Sequence, residues 1–158
     1  MVFARINRSY YERLLSPLLK ALSRLRIHPN ALTVIGLLIN GVAAVQFANG
    51  RVRWGGLLIL GAGIFDYLDG ALARYSRRTS PFGAFLDSTI DRYSDMTLLT
   101  GILIFFMRQN EAGLVLLTCA TLAGFVMVSY TRARAESLIP DCTVGLMERA
   151  ERLILLSL

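Results

Sequence analysis

The 158-residue sequence is poor in the residues from which soluble proteins build surfaces and sites. It has one lysine, one histidine, two cysteines and only 18% charged residues. Cys119 lies in an apolar run, Cys142 lies in a polar segment, and no CxxC or Cys/His spacing exists, so neither a zinc site nor a disulfide framework is predicted. An ordinary soluble domain has about 25% charged residues, so this composition does not fit one. The 54% hydrophobic content and the mean hydropathy of +0.52 also exclude a disordered chain.

Four apolar runs have the length of membrane spans, at about 31–48, 54–73, 85–107 and 112–130. A fifth run begins at Leu153 and reaches Leu158, the last residue given. Leucines at helical spacing alternate with basic residues over 1–26, which predicts an amphipathic helix on the membrane surface. The sequence therefore predicts an all-α polytopic membrane helix bundle, formed as a single domain over residues 1–158.

The basic residues are unevenly distributed between the two ends of the predicted spans. Arg51, Arg53 and Arg108 lie at one end, and the other 14 of the 17 basic residues lie at the opposite end. Positively charged loops stay in the cytoplasm, so the 14-residue side is predicted to be cytoplasmic. In so apolar a chain the basic excess is explained by membrane orientation, and a nucleic-acid partner is not predicted.

Carboxylates are unexpected at membrane depth, and five of them occur within 30 residues. Asp66 and Asp69 end the second span, and Asp87, Asp91 and Asp95 begin the third. Each set follows helical spacing, so each occupies one helix face, and an antiparallel pair joined by a loop at 75–82 brings the two faces together. A charged group at this depth costs a few kcal/mol at least and predicts a functional site.

Clustered carboxylates repel one another unless a cation neutralises them, and oxygen ligands favour Mg²⁺ or Mn²⁺. Gly70 and Ala73 lie on the same face as Asp66 and Asp69 and leave room for a ligand, and Arg74 suits a phosphate. The alternative is that the carboxylates pair with arginines such as Arg92 and only hold the spans together. Like charges four residues apart on one face destabilise a helix, which favours the metal site.

The segment Asp66-x2-Asp69-Gly70-x2-Ala73-Arg74-x8-Gly83-x3-Asp87-x3-Asp91 resembles the signature of the CDP-alcohol phosphatidyltransferase family at all eight fixed positions. The resemblance implies an enzyme that displaces CMP from CDP-diacylglycerol with the hydroxyl of an alcohol. It also implies a homodimer in the cell membrane, with six spans per chain and a site open to the cytoplasm. The sixth span and most of the fifth are expected to lie beyond Leu158.

The resemblance also implies a role for each matched position. It implies metal ligands at Asp66, Asp69, Asp87 and Asp91, which hold two Mg²⁺ ions, with Mn²⁺ as a substitute. Asp91 is also the implied general base that takes the proton from the attacking hydroxyl. The residues implied to contact the CDP-lipid are Pro29, Asn30, Ala31, Leu32, Asp66, Asp69, Gly70, Ala73, Arg74, Ser80 and Gly83.

The acceptor alcohol is predicted from the arginines after the fourth span. Arg132, Arg134, Arg149 and Arg152 suit a doubly charged phosphate, although they also fit the charge bias of cytoplasmic loops. These segments resemble the bacterial phosphatidylinositol-phosphate synthase branch of the family, which implies inositol 1-phosphate as the acceptor. Glycerol-3-phosphate is the main competing acceptor. A membrane protein that binds divalent cations without catalysis is the alternative from another functional class.

Overall fold

The computed structural model describes residues 15–138, so the predicted features at 1–14 and 139–158 lie outside the described residues. These features include most of the surface helix and the apolar run that begins at Leu153. The described residues form five helices and no strand. The helices are α1 (Ser16–Arg24), α2 (Pro29–Ala48), α3 (Val52–Tyr75), α4 (Pro81–Arg108) and α5 (Ala112–Leu138). The predicted all-α class is therefore confirmed.

Three helices, α2, α3 and α5, are long and apolar enough to cross a membrane. Helix α4 has 28 residues, which makes it about 42 Å long, but it does not reach the same apolar composition. The reason lies in its first half, which carries Asp87, Asp91, Arg92 and Asp95. The segment predicted as the third span is thus a polar half-helix followed by an apolar one.

Helices α2 and α4 begin earlier than the hydropathy pattern indicates, because each has an N-cap and a proline in its first turn. The side chain of His28 accepts a hydrogen bond from the Asn30 N–H at 3.3 Å, and Pro29 starts α2. The Ser80 hydroxyl likewise accepts from the Gly83 N–H at 3.0 Å before α4. Residues 29–32 therefore form the first turn of α2.

Helix α5 continues eight residues past the predicted end of the fourth span at Tyr130. Residues 131–138 contain no glycine or proline, so a helix that leaves the apolar region has no local reason to stop. The loop between α3 and α4 is shorter than predicted, at 76–80 instead of 75–82. The short loop is closed by Arg77 at φ +54°, and the Arg78 N–H donates to the Ala73 carbonyl at 2.9 Å.

Two apolar clusters hold the bundle. One joins the surface helix α1 to α2 and α3 through Leu19, Leu32, Leu68, Ala71 and Leu72. The other joins α2, α3 and α4 near their opposite ends through Ala43, Phe47, Ile59 and Leu98. Polar residues lie between the two clusters along the same three helices. The packing therefore fixes the height and spacing at which those polar residues meet.

Candidate metal and substrate site

Three carboxylates from two helices meet at the ends of α3 and α4 that face the short loop. Asp66, Asp69 and Asp87 each offer an oxygen, and these oxygens lie within 4.8 Å of one another. Asp69 is buried, with 5% of its surface exposed, while Asp66 and Asp87 are half-buried. The 66/69 spacing places the first two on one face of α3, and the short loop folds α4 back so that Asp87 faces them.

The cluster suits a divalent cation. One oxygen of Asp69, Oδ2, is buried and has no hydrogen-bond partner among residues 15–138. A buried carboxylate oxygen without a donor is costly unless a cation neutralises it. The three ligands are all oxygens, which are the ligands that Mg²⁺ and Mn²⁺ prefer. Asp66, Asp69 and Asp87 therefore fit the implied metal.

A cavity of about 160 Å³ opens beside the cluster. The first turns of α2 and α4 form two of its walls, and the last turns of α3 form the third. Its lining residues are Pro29, Asn30, Thr33, Asp69, Gly70, Ala73, Arg74, Arg78, Thr79, Ser80, Gly83, Ala84 and Asp87. A helix N-terminus carries partial positive charge and free N–H groups. The cavity thus combines two such termini and two arginines with the carboxylates, so it can receive a phosphate and a cation together.

Two glycines give the cavity its width. A Cβ at Gly83 would lie 3.1 Å from the Ser80 hydroxyl, which caps α4, and 3.6 Å from Asn30 Oδ1. A Cβ at Gly70 would lie 3.3 Å from Nη1 of Arg74. The guanidinium of Arg74 therefore folds back over Gly70 at the cavity wall, so this glycine makes room for the arginine.

Eight of the residues predicted to contact the CDP-lipid line this cavity, namely Pro29, Asn30, Asp69, Gly70, Ala73, Arg74, Ser80 and Gly83. Three others do not. Ala31 is exposed, Leu32 packs in the apolar cluster with α1, and Asp66 lines a separate, smaller chamber. The predicted contacts of Ala31 and Leu32 therefore have no support from this geometry.

Asp91 is not part of the three-carboxylate cluster. It lies one turn further along α4 and lines a smaller chamber together with Asp66. Asp95, another turn on, is buried at 8% exposure and lines neither cavity. Asp91 and Asp95 therefore lie further along α4 than the three-carboxylate cluster, and the roles of Asp91 as metal ligand and as base stay predictions.

Several residues of the two cavities were not predicted. Arg78 and Thr79 lie in the short loop at the mouth of the larger cavity. Thr33, Asn40 and Ser94 line the smaller chamber and are each less than 10% exposed. A single polar residue within an apolar run was the available signal for Asn40.

The arginines predicted for the acceptor phosphate divide into two pairs. Arg132 and Arg134 are exposed on the last turns of α5, and neither lines the cavity beside the carboxylates. Arg149 and Arg152 lie outside the described residues. The acceptor contact of all four stays a prediction.

Comparison with known families decides the class of protein. The model of a family described as CDP-alcohol phosphatidyltransferase matches residues 26–157. The chain belongs to the CDP-alcohol phosphatidyltransferase family. The resemblance in the aspartate signature is thereby confirmed, and the family is one of transferases. The match also covers the whole aspartate site and, apart from Leu19, both apolar clusters.

Several members of the family from bacteria and archaea resemble this chain. It is 37% identical over 155 residues to a phosphatidylinositol phosphate synthase of Streptomyces avermitilis, covering 94% of this chain and 62% of the relative. It is 43% identical over 138 residues to an archaetidylinositol phosphate synthase of Pyrococcus horikoshii, covering 87% of this chain and 71% of the relative. The chain thus spans about two thirds of the length of these relatives.

Solved structures of one family member share the fold. The crystal structure of Mycobacterium tuberculosis phosphatidylinositol phosphate synthase with CDP-DAG bound superposes with a TM-score of 0.82 at 33% identity, covering 90% of this chain and 72% of that chain. A second structure of the same enzyme, in complex with manganese and citrate, gives a TM-score of 0.81 at 34% identity, covering 87% of this chain and 67% of that chain. This chain therefore has the helical membrane fold of an enzyme crystallised with the expected lipid and with a divalent metal.

Proposed function

We propose that this protein transfers the phosphatidyl group of CDP-diacylglycerol to a hydroxyl of inositol 1-phosphate and releases CMP. The observation that carries the proposal is the meeting of Asp66, Asp69 and Asp87 beside a cavity walled by two helix N-termini. A pyrophosphate needs cations and hydrogen-bond donors together, and this arrangement supplies sites for both. The names of the bacterial and archaeal relatives support the inositol phosphate acceptor.

The cavity walls suit the nucleotide half of the lipid. Gly70 and Ala73 leave the α3 wall without bulk, and Arg74 supports a phosphate from the same wall. The capped first turn of α4 at Ser80 and Gly83 places backbone N–H groups at the cavity. The exposed surface of the bundle is apolar below this level, so the acyl chains can remain in the lipid while the nucleotide occupies the cavity.

The cluster of Asp66, Asp69 and Asp87 would hold the divalent ions, and we expect two Mg²⁺ ions, with Mn²⁺ as a substitute. When bound, the ions would neutralise the phosphate oxygens and stabilise the charge that develops on the leaving CMP. Removing the metal is therefore expected to abolish transfer and to weaken binding of the lipid.

The reaction requires one proton transfer and one exchange of bonds at phosphorus. The acceptor oxygen forms a bond to the lipid-linked phosphorus, and the bond from that phosphorus to the bridging oxygen breaks. CMP leaves with the electron pair of the broken bond. Asp91 accepts the proton of the attacking hydroxyl, because it follows Asp87 by one turn on α4 and faces the same side of the bundle.

We also propose that the site opens to the cytoplasm and that the protein is a homodimer. The charge bias supports the orientation, since the sequence pattern predicts 14 of the 17 basic residues on the side of the spans where the cavity opens. A cysteine introduced at exposed Thr79, at the mouth of the cavity, in a variant whose Cys119 and Cys142 are replaced by serine, tests it by labelling with a membrane-impermeant thiol reagent. Labelling after cell lysis but not in intact spheroplasts supports the orientation.

A panel of acceptors tests the substrate. The purified protein would receive CDP-diacylglycerol and Mg²⁺ with inositol 1-phosphate, free inositol, glycerol-3-phosphate or serine, and CMP release would be measured. Release with inositol 1-phosphate alone supports the proposal. Release with glycerol-3-phosphate alone would assign the competing acceptor. Metal binding without CMP release from any acceptor would support the non-catalytic alternative.

A further inference from the structure

A small chamber lies directly beneath the metal cluster, between α2, α3 and α4. Its volume of about 10 Å³ is close to the space that one water molecule needs. Its polar lining comes from Thr33, Asn40, Asp66, Asp91 and Ser94. The small residues Gly36, Ala62 and Gly63 leave the space open. The chamber is separate from the cavity that suits the lipid nucleotide. Thr33 lines both, and Asp66 also belongs to the three-carboxylate cluster.

Asn40 distinguishes this chamber from a packing defect. It lies in the middle of the apolar helix α2, only 3% of its surface is exposed, and its Oδ1 has no hydrogen-bond partner among residues 15–138. A buried amide oxygen without a donor is costly. A cavity of this size that is lined by polar groups is where proteins keep a buried water. The chamber therefore has both the space and the unmet acceptor that bind one.

We propose that Asn40 holds one buried water in this chamber and that the water fixes the carboxylate of Asp66 from below. The water donates one hydrogen to Oδ1 of Asn40 and the other to the carboxylate of Asp66. Asp66 is thereby oriented toward Asp69 and Asp87 in the metal cluster. Asn40 is thus a positioning residue that touches neither substrate nor metal, and this role rests on the proposed function only for its effect on catalysis.

The chain contains a matched control on the same helix. Gln46 lies on α2, six residues closer to the other end, and its Oε1 is also buried without a hydrogen-bond partner among the described residues. It does not line the chamber. Asn40→Leu and Gln46→Leu therefore both remove a buried amide from α2, but only the first removes a group of the chamber.

Two readouts separate the positioning role from the proposed function. The first is the affinity of the purified protein for Mn²⁺, measured by electron paramagnetic resonance without any substrate. The second is kcat and KM for CMP release. Removing a group that does not bind the metal itself but orients its ligands through hydrogen bonds costs about 10–100-fold in metal affinity or activity. We expect Asn40→Leu to weaken Mn²⁺ binding about 10-fold and to lower kcat by at least that much, with KM for the lipid within about twofold.

Asn40→Ser provides the rescue variant, because its shorter hydroxyl leaves space for a second water and restores an acceptor. It should recover most of the Mn²⁺ affinity, and it also tests the proposal if Asn40→Leu does not fold. Equal effects of Asn40→Leu and Gln46→Leu on Mn²⁺ affinity would overturn the proposal, as would wild-type affinity in Asn40→Leu. If the wild-type protein released no CMP, the proposed function would fail, and the Mn²⁺ comparison would still decide the role of Asn40.

Discussion

Among the glycines of the described helices, Gly101 on α4 lies closest to the backbone of another helix, at Ala44 on α2. A Cβ at Gly101 would lie 2.3 Å from the carbonyl oxygen of Ala44 and 2.8 Å from its Cα. Carbon and oxygen atoms in contact are about 3.3 Å apart or more, so Gly101→Ala must separate the two helices by about 1 Å. The obstructing atoms belong to the backbone, and no side chain can rotate away to relieve the contact.

The expected cost follows from this overlap. Overfilling a well-packed interface costs about 1–3 kcal/mol, and the gain in helix propensity from glycine to alanine, about 1 kcal/mol, acts in the opposite direction. Helix α4 also carries Asp87, about 21 Å further along the same rigid element. A misplacement of about 1 Å in a catalytic constellation can cost about 100-fold in rate. Gly101→Ala should therefore lower both the stability of the fold and the rate of transfer.

Gly41→Ala is the matched control, because it lies on α2 and a Cβ at Gly41 would meet nothing within 4 Å. Melting of the purified protein, followed by the fluorescence of Trp54, measures stability, and CMP release measures the rate. Gly101→Ala should lower the melting temperature by about 2–4 °C for each kcal/mol lost and slow CMP release by about 10-fold or more. If Gly101→Ala and Gly41→Ala behaved alike in both assays, the close contact of α2 with α4 would be refuted.

Three further predictions concern the cavity and its surroundings. Gly70→Ala should displace only the flexible end of Arg74, so it should raise KM for the CDP-lipid a few-fold in CMP-release assays while the melting temperature stays within about 2 °C. Arg108→Met removes a hydrogen bond of 2.8 Å to the Ala48 carbonyl at the far end of the bundle, so it should cost less than about 1 kcal/mol in melting experiments and leave KM unchanged. Arg132→Ala should raise KM for inositol 1-phosphate far more than KM for the lipid, and equal increases would mean that this arginine only supports the membrane orientation.

The helices and the aspartate site were largely predictable from the sequence, because both depend on local patterns. Apolar runs of membrane length mark the helices, and the spacing of Asp66 and Asp69 determines a helix face without knowledge of the fold. Helix ends were less predictable. His28 and Ser80 act as N-caps before prolines, and an N-cap is recognised only after the helix that it begins is known.

Depth within the bundle was not predictable. The spacing of Asp87, Asp91 and Asp95 places them on one face, but the crossing of α4 with α2 and α3 decides which carboxylate meets Asp69. The place of Asn40 was not predictable either, since a single polar residue in an apolar run has no partner in its own segment. Only packing brings it to the chamber that Asp66 and Asp91 also line.

The central claim is that the aspartate site performs metal-dependent phosphatidyl transfer with Asp91 as the base. The most direct test compares wild type with Asp91→Asn for CMP release from CDP-diacylglycerol and inositol 1-phosphate, with and without Mg²⁺, and measures lipid binding in parallel. The account predicts Mg²⁺-dependent CMP release by the wild type and none by Asp91→Asn, with lipid binding retained. Turnover by Asp91→Asn at the wild-type rate, or release by the wild type without a divalent ion, would contradict it.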